Sequence, residues 1–135
     1  MKSYSNTSIV YAILAMIGGV FYREFTKFQN FTEQTTLSVL HTHYFVLGML
    51  FFLVLLLLEK NFAFTNKKTK LFCMLYHIGL NLTTVMLMVR GVTQVLQMQI
   101  SNALDASISG MSGIGHILLG VSMIVLLLQV KRSVQ

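Results

Sequence analysis

The chain has 135 residues, 55% of them hydrophobic and only 10% charged, with ten Lys and Arg against four Asp and Glu. A soluble domain carries about 25% charged residues, so this composition excludes a soluble globular enzyme, and a lone cysteine, Cys73, excludes a disulfide scaffold. The net charge of +6 gathers beside apolar runs and forms no basic, aromatic-interleaved face, which argues against nucleic acid as a partner.

Crossing a bilayer takes about 20 mostly apolar residues. Four runs qualify, at about 9–25, 37–58, 71–89 and 108–130. The first follows Lys2 and has no A-x-A cleavage pattern behind it, so it is expected to remain as a helix. The second is uncharged from Tyr44 to Leu58. The stretch from Arg90 to Ser107 is polar and periodic, and predicts that the third helix runs on for a turn or two. Asn102, Asp105 and Ser107 are the expected turn and cap residues before the fourth.

Short connections predict an all-α, up-down-up-down bundle, a single module over residues 1–135. Seven of the ten basic residues (Lys2, Lys60, Lys67, Lys68, Lys70, Lys131 and Arg132) fall on one side, and Arg23, Lys27 and Arg90 on the other. The positive-inside rule then puts both termini in the cytoplasm. The bilayer is the first partner expected. A homo-oligomer or larger membrane complex is a second expectation, with Ala15, Gly18 and Gly19 as a contact patch that internal packing explains equally well.

Within lipid, polar and small side chains turn toward other helices. The expected inward stripes are Tyr4, Ser8, Tyr11, Ala15, Gly18 and Tyr22 in the first helix and Ser38, His41, Gly48 and Glu59 in the second. In the third they are Cys73, His77, Asn81, Thr84, Met88 and Gly91, and in the fourth Ser109, Ser112, His116, Gly120 and Met123. Small residues at such spacing suit close packing alone. Met88 and Met123 suit gap-filling, and Cys73 suits a small buried site. On an ideal helix His43 lies about 200° from His41, so the two cannot both point straight inward.

The histidines are less easily absorbed. All four, His41, His43, His77 and His116, fall in or at the edge of predicted spans, where an ionisable side chain is costly and points to function. Neutral imidazole ligates haem iron, zinc and copper. A b-type haem needs one or two axial His, an apolar slot and small residues beside the macrocycle. Gly48, Gly79, Gly110, Gly113, Gly115 and Gly120 offer that relief, and Arg90 a cation for propionates. By a rise of about 1.5 Å per residue, His41 lies roughly 6 Å deep, His43 roughly 9 Å, His116 roughly 12 Å and His77 roughly 18 Å. His116 with His41 or His43 is therefore the expected haem clamp, with His77 the third choice or a proton and hydrogen-bond partner. The expected roles are electron transfer, haem handling or gas sensing. Copper or zinc on the same four histidines, in a binding or transport module, is the alternative, as is a structural subunit of a larger complex. No catalytic motif is present.

The words HTHYFVLGM (41–49), YHIGLNLT (76–83) and GMSGIGHILLG (110–120) carry a resemblance. Over essentially its whole length the chain is similar to small bacterial membrane proteins with four predicted helices, a family catalogued as a domain of unknown function. The resemblance implies an integral protein of the bacterial cytoplasmic membrane and attaches no activity. The His-bearing second helix followed by Leu-Gly-Met also looks like the haem-ligand helix of haem–copper oxidase subunits, without the other spans and histidines such a subunit needs.

Overall fold

The computed structural model describes residues 1–134, and among these every regular element is helical. We number the four rods α1 (Lys2–Phe28), α2 (Thr36–Phe62), α3 (Lys67–Val95) and α4 (Asn102–Val134). Each is long and apolar enough to cross a membrane, which gives the chain a lipid environment. With 27 to 33 residues apiece, they run roughly 40–50 Å at 1.5 Å per residue, well past a hydrocarbon core of about 30 Å. Each predicted apolar run therefore lies inside a longer helix whose polar ends reach the headgroups.

Side-chain caps fix those ends. Asn66 opens α3 in a reciprocal capping box with Thr69, which satisfies two otherwise orphaned N–H groups. Thr35 opens α2 by accepting from the Leu37 N–H at 3.3 Å. The expected cap residues of α4 give way to Ser101, whose Oγ accepts from the Leu104 N–H at 3.3 Å. α3 continues to Val95, the extra turns that the polar periodicity predicts. The exit from α2 is strained, because Ala63 sits in the left-handed region at φ 46°. Glycine carries no Cβ penalty there. Ala63→Gly is expected to raise stability by about 1 kcal/mol, read as a higher melting temperature in detergent.

α2 is not one kind of helix. A 3₁₀ turn over Thr36–Val39 clamps it to the end of α3, where the Thr36 hydroxyl donates to Leu87 O at 2.8 Å and that of Thr35 to Gly91 O at 3.1 Å. From His43 to Leu50 the helix widens to π geometry, ending with the Phe51 N–H on Val46 O, five residues back. π turns inside α-helices recur at functional sites.

Close backbone approaches join α1 to α2, α3 to α4, and α2 to both α3 and α4. α2 and α4 are thus neighbours, and α1 and α4 take the outer corners. The α3–α4 crossing is the tightest. A Cβ on Gly79 would lie 2.6 Å from Leu119 N, and one on Gly115 2.6 Å from Thr83 Oγ1. The buried face of α1 is Tyr4, Ser8, Tyr11, Ala15 and Gly18, the predicted stripe up to Tyr22. Ala15 is fully buried, and Gly18 and Gly19 face Leu40 and His41 of α2. The expected oligomer patch is thus an internal contact.

Candidate functional site

The polar side chains of the bundle gather in two places. The first lies between α1, α2 and α3. Gly48 lets the Tyr11 ring lie on α2, since a Cβ there would fall 2.6 Å from Tyr11 Cγ. Held so, the Tyr11 hydroxyl reaches His77 Nδ1 at 2.7 Å and accepts from Asn81 Nδ2 at 3.1 Å. Asn81 Nδ2 also donates to His77 O at 2.8 Å, which fixes the amide orientation, and its Oδ1 accepts from the Tyr44 hydroxyl at 3.1 Å. The Thr84 hydroxyl in turn lies 2.8 Å from that of Tyr44. The Tyr11 proton needs an acceptor inside a membrane, and His77 Nδ1 is the acceptor beside it. Neutral His77 is then protonated on Nε2, a donor. Its ring stacks on Phe52, with centroids 4.8 Å apart and planes within 8°.

The second place lies between α2 and α4, where the rings of His43 and His116 sit 6.0 Å apart, nearly perpendicular at 85°. His43 Nδ1 lies 2.8 Å from Val39 O, and His116 Nδ1 2.8 Å from Ser112 O. A carbonyl only accepts, so both histidines carry the proton on Nδ1 and present an Nε2 lone pair. That is the tautomer of a metal-ligating imidazole oriented by a backbone carbonyl. His77 has the opposite tautomer.

His41 joins neither place. It packs against Gly19 of α1 and edge-on to Phe45, and its buried Nδ1 has no hydrogen-bond partner. Gly48 lies under Tyr11. The α4 stripe expected to face inward turns out to be mixed: Ser109 and His116, with Gly113 beside them, are exposed, Ser112 and Gly120 are half-buried, and Met123 packs on the core. The buried face of α4 is Ile108, Gly115, Leu119, Ser122, Leu126, Gln129 and Val130, because contact with Gly79 fixes Gly115 toward α3. A Cβ at Gly113 or Gly120 would meet nothing within 4 Å, so the face beside His116 is open. Arg90 binds the Asp105 carboxylate at 2.8 Å and the Ser109 hydroxyl at 2.6 Å, about three and two turns, or roughly 16 and 10 Å, along α4 from His116.

Sequence reasoning does not pick out Tyr44, although α3 and α2 meet through it. Nor does it pick out Ser3, Asn6 and Thr7, which line a cleft beside His77. Their spacing of three and four, adjoining the tyrosine stripe of α1, is the signal that reveals a second polar face.

The chain matches no curated protein and no solved structure. The resemblance to haem–copper oxidase subunits therefore has no counterpart among the matches, whereas the resemblance to small four-helix membrane proteins does. The family described as "Protein of unknown function (DUF2871)" matches residues 1–133, and with four apolar helices across that length the chain belongs to this family.

Proposed function

We propose that this is a cofactor-binding membrane protein that holds a b-type haem between His43 and His116. The observation that carries the reading is the facing pair of rings, each with Nδ1 bonded to its own helix and Nε2 free. Two imidazole nitrogens each about 2 Å from one metal would put their ring centres roughly 6 Å apart or less, a range that includes the 6.0 Å separation. No group of three or more His, Cys, Asp or Glu able to hold a metal occurs among the described residues. That count favours haem over zinc or copper, because the macrocycle brings four nitrogens of its own and asks the protein for two.

In this reading His43 and His116 would hold the haem iron, and the open face at Gly113 and Gly120 would leave room for the flat ring. Arg90, the cation expected for the propionates, is already paired with Asp105. Haem held by two histidines supplies one-electron chemistry, which fits electron transfer, haem handling or gas sensing. Val39 O and Ser112 O hold the two imidazoles in the ligating tautomer. The deciding experiment is the absorption spectrum of protein purified with haemin supplied during expression. A Soret band with sharp α and β bands after reduction is expected. Colourless protein that takes up no haemin overturns the proposal.

The orientation proposed is the bacterial cytoplasmic membrane with both termini inside. Its support is the charge distribution, with seven basic residues around the termini and the α2–α3 loop. In a Cys73→Ser background, Lys67→Cys is expected to label from the cytoplasmic side and Gln99→Cys from the other. Labelling of both from one side excludes this topology.

A further inference from the structure

The α1–α3 seam differs from every other helix contact in the bundle. α1 and α3 meet through the Tyr11, His77 and Asn81 side chains, with no backbone approach like that at Gly79 and Gly115. The spaces this leaves are open to the surroundings and follow one another along the seam. Toward the chain termini lies a cleft of about 550 Å³ lined by Ser3, Asn6, Thr7, Tyr11, His77 and Asn81. Beyond Leu14, which borders both, lies a slot of about 300 Å³ walled by Ile17, Phe21, Leu40, Val85 and Met88. Each is of the size small-molecule sites occupy, and a few polar groups set in an apolar groove are their usual chemistry.

The donors decide the ligand class. Tyr11, Asn81, Tyr44 and Thr84 are bonded to one another, whereas His77 Nε2–H has no protein partner and lines the cleft. Ser3, Asn6 and Thr7 likewise make no side-chain bond within the protein. No cation or carboxylate lines either space. Two cations, the Met1 amino group and Lys70, line an adjoining cleft of about 390 Å³ that also reaches His77. A charged head finds no counter-ion at His77, but a carbonyl oxygen finds a donor. The stacked Phe52–His77 pair and Tyr11 give flat surfaces at the same level.

We propose that the α1–α3 seam binds a lipid-soluble quinone, with a ring carbonyl accepting from His77 Nε2–H and the apolar chain lying past Leu14 between Phe21 and Met88. This goes beyond the haem reading and does not depend on it: the two sites share no side chain, and haem-free protein is expected to bind. The seam faces lipid, so such a ligand enters sideways from the bilayer.

The test is titration of decylubiquinone into haem-free protein in nanodiscs, followed by quenching of tyrosine emission, which no Trp obscures. Undecylbenzene, which has a ring and chain but no carbonyl, is the reference for simple partition. Wild type is expected to saturate with decylubiquinone and not with undecylbenzene. His77→Phe keeps the stack on Phe52 and removes the donor, and is expected to weaken binding about tenfold, the worth of one hydrogen bond in an apolar site. Val85→Phe fills the slot without touching the polar network or adding a Trp to the emission, and keeps the test decisive if His77→Phe fails to fold. It is expected to weaken binding by a similar factor, while His41→Ala leaves it unchanged. Quenching that never saturates, or wild-type affinity in folded His77→Phe or Val85→Phe, overturns the proposal. So does tighter competition by palmitate, which would assign the seam to an anionic lipid at Lys70.

Discussion

Gly115→Leu is expected to abolish the folded bundle, while Gly113→Leu two residues away leaves it intact. A Cβ on Gly115 meets Thr83 Oγ1 at 2.6 Å, Thr83 N at 2.9 Å and Gly79 O at 3.1 Å. Two of the three are backbone atoms of α3, so no rotamer change relieves the overlap and the helices must separate. Overpacking costs about 1–3 kcal/mol where side chains can yield and more where they cannot. In lipid no hydrophobic force between helices restores the contact. Parting also unseats Leu119, which belongs to the hydrophobic core. At Gly113 an added side chain meets nothing within 4 Å, and the expected change is within about 0.5 kcal/mol. Thermal melts and size-exclusion profiles of the two proteins distinguish the cases. Gly113→Leu has a second use: its side chain fills the open face beside His116, so it is expected to fold normally and lose haem.

The number and approximate extent of the helices are legible in the sequence, because a bilayer asks for one thing, an apolar run of sufficient length, and the chain has four. The buried stripe of α1 is legible too, since its tyrosines and small residues recur at helical spacing between exposed Ile9, Ile13, Met16 and Val20. α4 is the counter-example. It is apolar nearly all round, and polarity pointed to the Ser112–His116 face as the interior. Steric contact between two glycines points Gly115 inward instead and leaves His116 outside. A polarity stripe loses to a close backbone crossing when the apolar residues give no direction of their own. The π stretch of α2 was not legible at all, because Phe45 to Leu50 differs little in composition from the α-helical residues after it. Yet it contains both His43 and Tyr44, and from this one segment the chain supplies a side chain to each of its polar clusters.

His43→Ala and His116→Ala are each expected to remove the low-spin spectrum, while His41→Ala and His77→Ala retain it. His43→Ala and His116→Ala should cost little stability, because both rings bond only to carbonyls of their own helices. Helix propensity favours Ala at either position. His41→Ala removes a buried nitrogen that has no partner, so stability is expected to hold or rise. His77→Ala breaks the bond to Tyr11 across α1 and α3, at a cost of about 1 kcal/mol, the usual worth of an interhelical hydrogen bond in a membrane. Stability and spectrum thus move in opposite directions at the two polar clusters, a pattern that general loss of folding cannot produce. His116→Met sharpens the result, since a thioether keeps a sixth ligand and raises the reduction potential, whereas a histidine that merely packed against its neighbour would leave the potential where it was. Full haem retention in folded His116→Ala would move the site to the α1–α3 seam, which His77, Asn81 and Met88 line.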